Sequence, residues 1–252
     1  MMPSHAKLVT ILLGASVLAN LAVLPYSAEL MPESTQGFMW VLLFCSFLLQ
    51  ILILYGCIEA GLRLGPRIGL RTPILFSLLG GEKKGESELR RILGVALGGG
   101  AVVGFISWGL GELLDPLFPE PRIPIPEWSP LAGFLGAVGA GVGEEIMFRF
   151  GFMTLLAWAG ARLFRREGSP APFIWSANVI AALLFGAAHL PQSSYFYDLT
   201  SVVVFVVLVL NGLIGIFCGW LFWRHGLVSA MLAHFSTDVV LKVLAPAAGA
   251  EI

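Results

Sequence analysis

The chain is poor in charge. Of its 252 residues only 12% are Asp, Glu, Lys or Arg, while 57% are hydrophobic, and mean hydropathy is +0.87. A soluble domain carries about twice that charged share, so a water-soluble globule is excluded. The net charge of −1 leaves no global basic field and no argument for nucleic acid as a partner. Cysteine is scarce as well. Cys45, Cys57 and Cys218 all fall in apolar stretches, an odd, scattered set that fits neither a disulfide framework nor a CxxC metal site. They read as small packing residues. No HExxH and no GxSxG is present, which removes the common zinc-protease helix and the serine nucleophile elbow.

What the sequence does contain is long apolar runs of about 20 residues, the length that crosses a hydrocarbon core as a helix. Helices are expected at 8–26, 37–61, 92–114, 130–160, 173–190, 199–223 and 227–245. The fold class that follows is an all-α polytopic transmembrane bundle of about 7–8 spans, taken as a single membrane domain over 1–252. Within it, 1–129 supplies N-terminal spans and a basic loop, and 130–245 supplies a functional core. Lys7 followed by the apolar run Leu8 to Leu24 resembles a signal peptide, but Tyr26-Ser27-Ala28 is a poor cleavage site, so this run is read as a retained first span. Turns are expected at Pro32-Glu33-Ser34, across Pro116 to Pro130, at Gly168 to Pro172, and at Pro191-Gln192-Ser193-Ser194.

Basic residues alternate by loop. Lys7 precedes span 1, and Arg63, Arg67, Arg71, Lys83, Lys84, Arg90 and Arg91 lie between spans 2 and 3. Arg162, Arg165 and Arg166 follow span 4, and Arg224 follows span 6, whereas loops 27–36, 115–129 and 191–198 hold only Arg122. The positive-inside rule puts the N-terminus in the cytoplasm, and the short loops suit a prokaryotic inner membrane. Segment 72–81 is too short to span and is expected in the interface or re-entrant; an eighth crossing there would flip one end.

Three polar clusters interrupt the apolar spans, and a charge at the bilayer centre costs about 2.5–3.5 kcal/mol. In span 4, Glu145 and Arg149 are i,i+4 and can neutralise each other. Glu144 is turned about 100° away and has no such partner; it needs one from another helix, or must hold on to its proton. Gly133, Gly136, Gly139, Ala140, Gly141 and Gly143 precede it and allow close helix approach. In span 5, Phe185 and His189 are i,i+4, with Asn178 on nearly the same face; alone, His189 is equally well read as a helix-end cap beside Pro191. In span 7, His234 and Asp238 are i,i+4 and project side by side. His5 and His225 are peripheral and expected to be solvated.

Carboxylates, two imidazoles and an arginine from three spans suit activation of a water molecule. Glu144 would act as general base, His189 would orient the water or shuttle a proton, and His234 would stabilise an oxyanion. The same atoms would also hold one divalent metal such as zinc through His189, His234 and a carboxylate. The spacing leaves both open.

The clusters Glu144-Glu145-x-x-x-Arg149, Phe185-x-x-x-His189 and His234-x-x-x-Asp238, in that order on separate spans, resemble the EExxxR, FxxxH and HxxxN signature of the CPBP family of intramembrane proteases, which includes the CaaX-prenyl endopeptidases. The resemblance covers roughly 130–240. It implies a bundle around a conical cavity reached from the membrane and hydrolysis of a peptide bond near a substrate's C-terminus. It implies Glu144 and His189 as the water-activating pair, His234 and position 238 on the oxyanion side, and Glu145, Arg149 and Phe185 in support. Family members are described both as metalloproteases and as metal-free glutamate proteases. The expectation here is the second, with no cofactor assigned; a metal would fall to Glu144, His189, His234 and Asp238. One departure stands out, because an Asn at 238 could donate to an oxyanion and an ionised Asp cannot. Asp238 would have to be protonated, orient a protonated His234, or bind metal. The implied partners are membrane lipid and a protein or peptide with a C-terminal membrane-associated segment, such as a prenylated tail or a sorting signal. Competing functions are a non-proteolytic binding or immunity protein of the same fold and a proton-coupled transporter. The lack of an internal repeat weighs against the last.

Overall fold

The computed structural model describes residues 3–30, 36–80, 85–164 and 169–250. The turn at Pro32-Glu33-Ser34, the loop lysines Lys83 and Lys84, Arg165, Arg166 and Gly168 lie outside the described residues. Among the described residues all regular structure is helical, and seven helices are long and apolar enough to cross a membrane.

The first, α1 (His5–Glu29), starts where Ser4 Oγ accepts from the Lys7 N–H, satisfying one of the unpaired donors of a first turn. It runs through Pro25 to Glu29, three residues past the expected end. Next come α2 (Gln36–Leu64), the short α3 (Pro73–Leu78) and α4 (Glu86–Leu114). Six residues of helix advance only about 9 Å, so α3 cannot cross. With Ile74 and Leu75 buried it packs on the bundle, and among the described residues no eighth crossing forms.

The fourth span is one long rod in three parts: α5 (Pro130–Glu145), a π-helical stretch (Ile146–Met153) and α6 (Thr154–Leu163). It opens on Ser129, whose Oγ accepts from the Ala132 N–H, with Pro130 at the first helical position, where its missing donor does no harm. Then follow α7 (Ala171–Ala188), α8 (Leu190–Phe196), α9 (Ser201–His225) and α10 (Leu227–Val239), the last running through a second π stretch (Val240–Leu244) into α11 (Ala245–Ala247). The tetrad 191–194, expected as a turn, is helical. Pro191 falls in the first turn of α8, and Ser193 Oγ donates to the His189 carbonyl.

Ties between helix ends sort the two ends of the bundle. At one end His5 Nε2 lies 3.2 Å from Glu59, which also takes Arg63 at 2.6 Å, and Gly226, at φ 91°, turns α9 into α10 beside the Arg71–Pro73 backbone. At the other, Glu29 accepts from the Ser129 N–H and Oγ at 2.6 and 3.0 Å. Arg122 there pairs with Asp198 at 3.3 Å and donates to the Ser194 carbonyl. The described basic loops thus gather at one end, and loop 115–129 meets 191–198 at the other. Exposed Leu18, Leu52, Phe105, Leu183 and Phe205 form the apolar exterior that a bilayer covers. Cys57 and Cys218 are buried as expected, but Cys45 is exposed on this exterior. His225 is half-buried against the Trp220 ring rather than solvated.

Helix α5 sits between α1 and α10. A Cβ at Gly139 would collide with Val23 and the Ala19 carbonyl of α1, and one at Gly141 would press on Met231 and Phe235 of α10. Gly143, by contrast, has open space. Gly139→Leu is expected to lower stability in detergent by about 1–3 kcal/mol through overpacking. Gly143→Ala should raise it by about 0.5–1 kcal/mol through reduced unfolded-state freedom. Thermal unfolding of the two variants reads the opposite signs.

Candidate active site

Helices α1, α5, α7, α8, α9 and α10 enclose a cavity of about 530 Å³. All four residues expected to carry the chemistry, Glu144, His189, His234 and Asp238, line it, together with Phe185. Glu145 and Arg149 stand behind the wall, both fully buried.

The buried layer is a chain of charges. Glu145 Oε1 lies 3.2 Å from Arg149 Nη1 and 2.7 Å from His234 Nδ1. The i,i+4 pairing expected from sequence therefore forms, across the start of the π stretch, and it gains a member from α10. A π stretch inserted in an α-helix is frequent at functional sites. Here it starts immediately after the two glutamates. The Arg149 guanidinium stacks 4.7 Å over the Phe185 ring. That ring's edge contacts reach both imidazoles, at 4.8 Å for His189 and 5.5 Å for His234.

Hydrogen bonds orient both histidines. His189 terminates α7, and its Nδ1–H donates to the Phe185 carbonyl at 2.9 Å. It is both the helix-end cap and a cavity residue, and Nε2 keeps its lone pair. His234 commits Nδ1 to Glu145, which turns Nε2 toward Glu144 Oε2 at 3.7 Å and Asp238 Oδ1 at 3.8 Å. Glu144 Oε2 is buried and takes no hydrogen bond from any described group. The carboxylate that lacked a local partner in the sequence thus meets an imidazole from α10, at a distance too long for a direct bond.

Asp238 has a partner the sequence reading missed. Lys242, one turn on, donates to its Oδ2 at 2.6 Å. The side-by-side pairing expected of His234 and Asp238 is accordingly loose, and Asp238 is an ion-paired carboxylate. The signal was legible: Asp238 and Lys242 have the same i,i+4 spacing as the other clusters. Lys242 also faces the Tyr26 ring at 5.2 Å, and its carbonyl accepts from the Trp128 indole N–H at 2.8 Å. Tyr26 and Trp128 meet edge to face at 5.2 Å and line the same cavity. Asn178, placed on the His189 face from spacing, does not reach it. Its amide donates to the Ile216 carbonyl at 3.0 Å and packs where Gly219 leaves room, clasping α7 to α9.

The donor set expected for a metal does not close on one point. Among the described residues, the His, Cys, Asp and Glu ligand atoms that all lie within 4.8 Å of one another belong to Glu145, Cys218 and His234. These are buried behind the cavity wall, with Nδ1 already bonded to Glu145. On the cavity side Asp238 is held by an ammonium, whose charge opposes a divalent ion beside it. The residues present do not fit a catalytic zinc site, which needs three protein ligands around an open position.

Removing one member of a buried charge pair leaves the other uncompensated, at about 3–5 kcal/mol. Arg149→Met should therefore lower stability by about that amount, and adding Glu145→Gln should recover part of it. Thermal unfolding of both variants in detergent checks this; a double variant no more stable than the single would contradict the pairing.

Comparison with protein-family models matches residues 126–240 to the Rce1-like type II CAAX prenyl endopeptidases. Comparison with curated proteins and with solved structures gives no match. The matched segment runs from Pro126 through α5 to α10 and contains every member of the three clusters. Residues 126–240 are therefore similar to the Rce1-like type II CAAX prenyl endopeptidases, and they lie in a chain whose described residues include seven helices long and apolar enough to cross a membrane.

Proposed function

We propose that the cavity hydrolyses a peptide bond near the C-terminus of a membrane-associated substrate, by a glutamate-type mechanism in which Glu144 activates water. The observation that carries this reading is Glu144 Oε2, buried and without a hydrogen-bond partner among the described residues, in a cavity that two imidazoles also line. An unengaged carboxylate is a base available for a proton.

A water between Glu144 and His189 gives one proton to the carboxylate and directs the other to His189 Nε2, the ring nitrogen that holds a lone pair. The water oxygen attacks the scissile carbonyl carbon. The oxyanion takes an N–H from His234 Nε2, whose ring charge Glu145 compensates through Nδ1. Glu144 then returns its proton to the amide nitrogen, the C–N bond breaks, and an acid and an amine are left. Glu145, Arg149 and Phe185 hold the two rings in place.

The test uses purified protein and an S-farnesyl peptide ending in a Cys-aliphatic-aliphatic-Ser tail, alongside the same peptide without the lipid. Glu144→Gln and His189→Asn are expected to lower kcat by about 10²–10⁴-fold, and His234→Asn by about 10²–10³-fold. Activity should be unchanged by a chelator. Cleavage that survives all three substitutions would sink the mechanism, and loss on chelation restored by zinc would replace it with metal chemistry.

The end of the bundle that gathers His5, Arg63 and Arg71 is read as cytoplasmic, on the positive-inside rule. A single cysteine introduced at Ser4 in a cysteine-free chain should be shielded in intact cells from a membrane-impermeant maleimide. Labelling before lysis would reverse the orientation.

A further inference from the structure

Among the described residues lining this cavity, the one Lys or Arg side chain is Lys242. Its ammonium has three N–H donors, of which Asp238 Oδ2 takes one at 2.6 Å, and its charge also faces the Tyr26 ring. The backbone carrying it is pinned by the Trp128 indole N–H. The other charged side chains on this wall, Glu144 and Asp238, are carboxylates. Apart from the two imidazoles, an anionic group entering the cavity meets a cation only beside Lys242.

The ammonium stands to one side of the water-activating groups. Asp238 turns Oδ1 toward His234 Nε2 and gives Oδ2 to Lys242, so the carboxylate lies between the imidazole and the ammonium. With Asp238 oxygens 3.8 Å from His234 Nε2 and 2.6 Å from Lys242 Nζ, the imidazole and the ammonium stand within about 9 Å of each other, and three extended residues span about 10 Å. With the side chain reaching back to Asp238, the separation suits a leaving segment of one to three residues. It does not suit a donor to the reacting carbonyl itself.

We propose that Lys242 binds the free C-terminal carboxylate of the substrate, so that cleavage is measured from the chain end. The inference rests on the endopeptidase reading of the same cavity and adds the group that selects its substrate. Asp238 keeps the ammonium charged and aimed when no substrate is present, and Tyr26 and Trp128 flank the carboxylate's seat.

The experiment compares the S-farnesyl peptide as free acid and as C-terminal amide, with the full chain in detergent. Wild type should favour the acid by at least about tenfold in kcat/KM, mainly through KM. Lys242→Met should bring the acid down to the level of the amide, and Lys242→Arg should keep the preference. Asp238→Asn/Lys242→Met removes both charges together, so loss of preference there cannot be charged to an orphaned carboxylate. Binding of the two labelled peptides to Glu144→Gln, read by fluorescence anisotropy, gives the preference without turnover. Equal cleavage of acid and amide by wild type overturns the proposal, as does equal binding by Glu144→Gln. A Lys242→Met loss that falls equally on both peptides, in kcat with KM unchanged, also overturns it by placing the ammonium at the reacting carbonyl. If wild type cleaves neither peptide while Glu144→Gln still prefers the acid, the endopeptidase reading fails and the anchor stands.

Discussion

Everything about the site depends on one hydrogen bond, from His234 Nδ1 to Glu145 Oε1 at 2.7 Å. It joins α10 to the C-terminal end of α5, where both side chains are buried from bulk solvent. The carboxylate must be neutralised from inside the protein, and Arg149 on one side and His234 on the other do so. Because each partner needs the others, the register of α5 against α10 is set within a fraction of a helical turn. The glycines of α5 make the approach possible, and the ionic contacts decide where along the helices it stops.

This coupling also divides two adjacent glutamates into different roles. Glu145 is consumed by structure, with both neighbours bonded to it, while Glu144 looks into the cavity. A turn of about 100° between consecutive residues is sufficient to separate them. The helix then continues as a π stretch from Ile146, which changes the direction in which later side chains project. Arg149 nonetheless closes on Glu145. The wider winding is absorbed by the flexible arginine stem rather than by the glutamate, whose position fixes His234.

Much of this was legible in the sequence, for a physical reason. Charges in apolar segments are costly, so the few present mark functional or paired positions, and i,i+4 spacing reveals pairs within a helix. The spans, the two-glutamate motif and both cavity histidines were readable this way. Pairings between helices were not. Nothing in the spacing of 145 and 234 announces their bond, and Asn178 shows the converse failure, a residue on the right helix that turns to α9 instead. Lys242 has the same plain i,i+4 spacing from Asp238, at the position where Asp stands in place of the expected Asn. That replacement and the lysine are better considered together: the acid brings its own base.

The Phe185 ring has a consequence beyond packing. The guanidinium of Arg149 lies over the ring at 4.7 Å, and Phe185 is itself part of the cavity wall. The aromatic plate is a septum, a thin apolar sheet between the Arg149–Glu145 ion pair and the cavity. Its π cloud steadies the cation from within, and its bulk keeps solvent from quenching the pair. The hydrogens of the guanidinium are thereby held away from the cavity. A smaller residue at this position would turn a remote charge into a wet one.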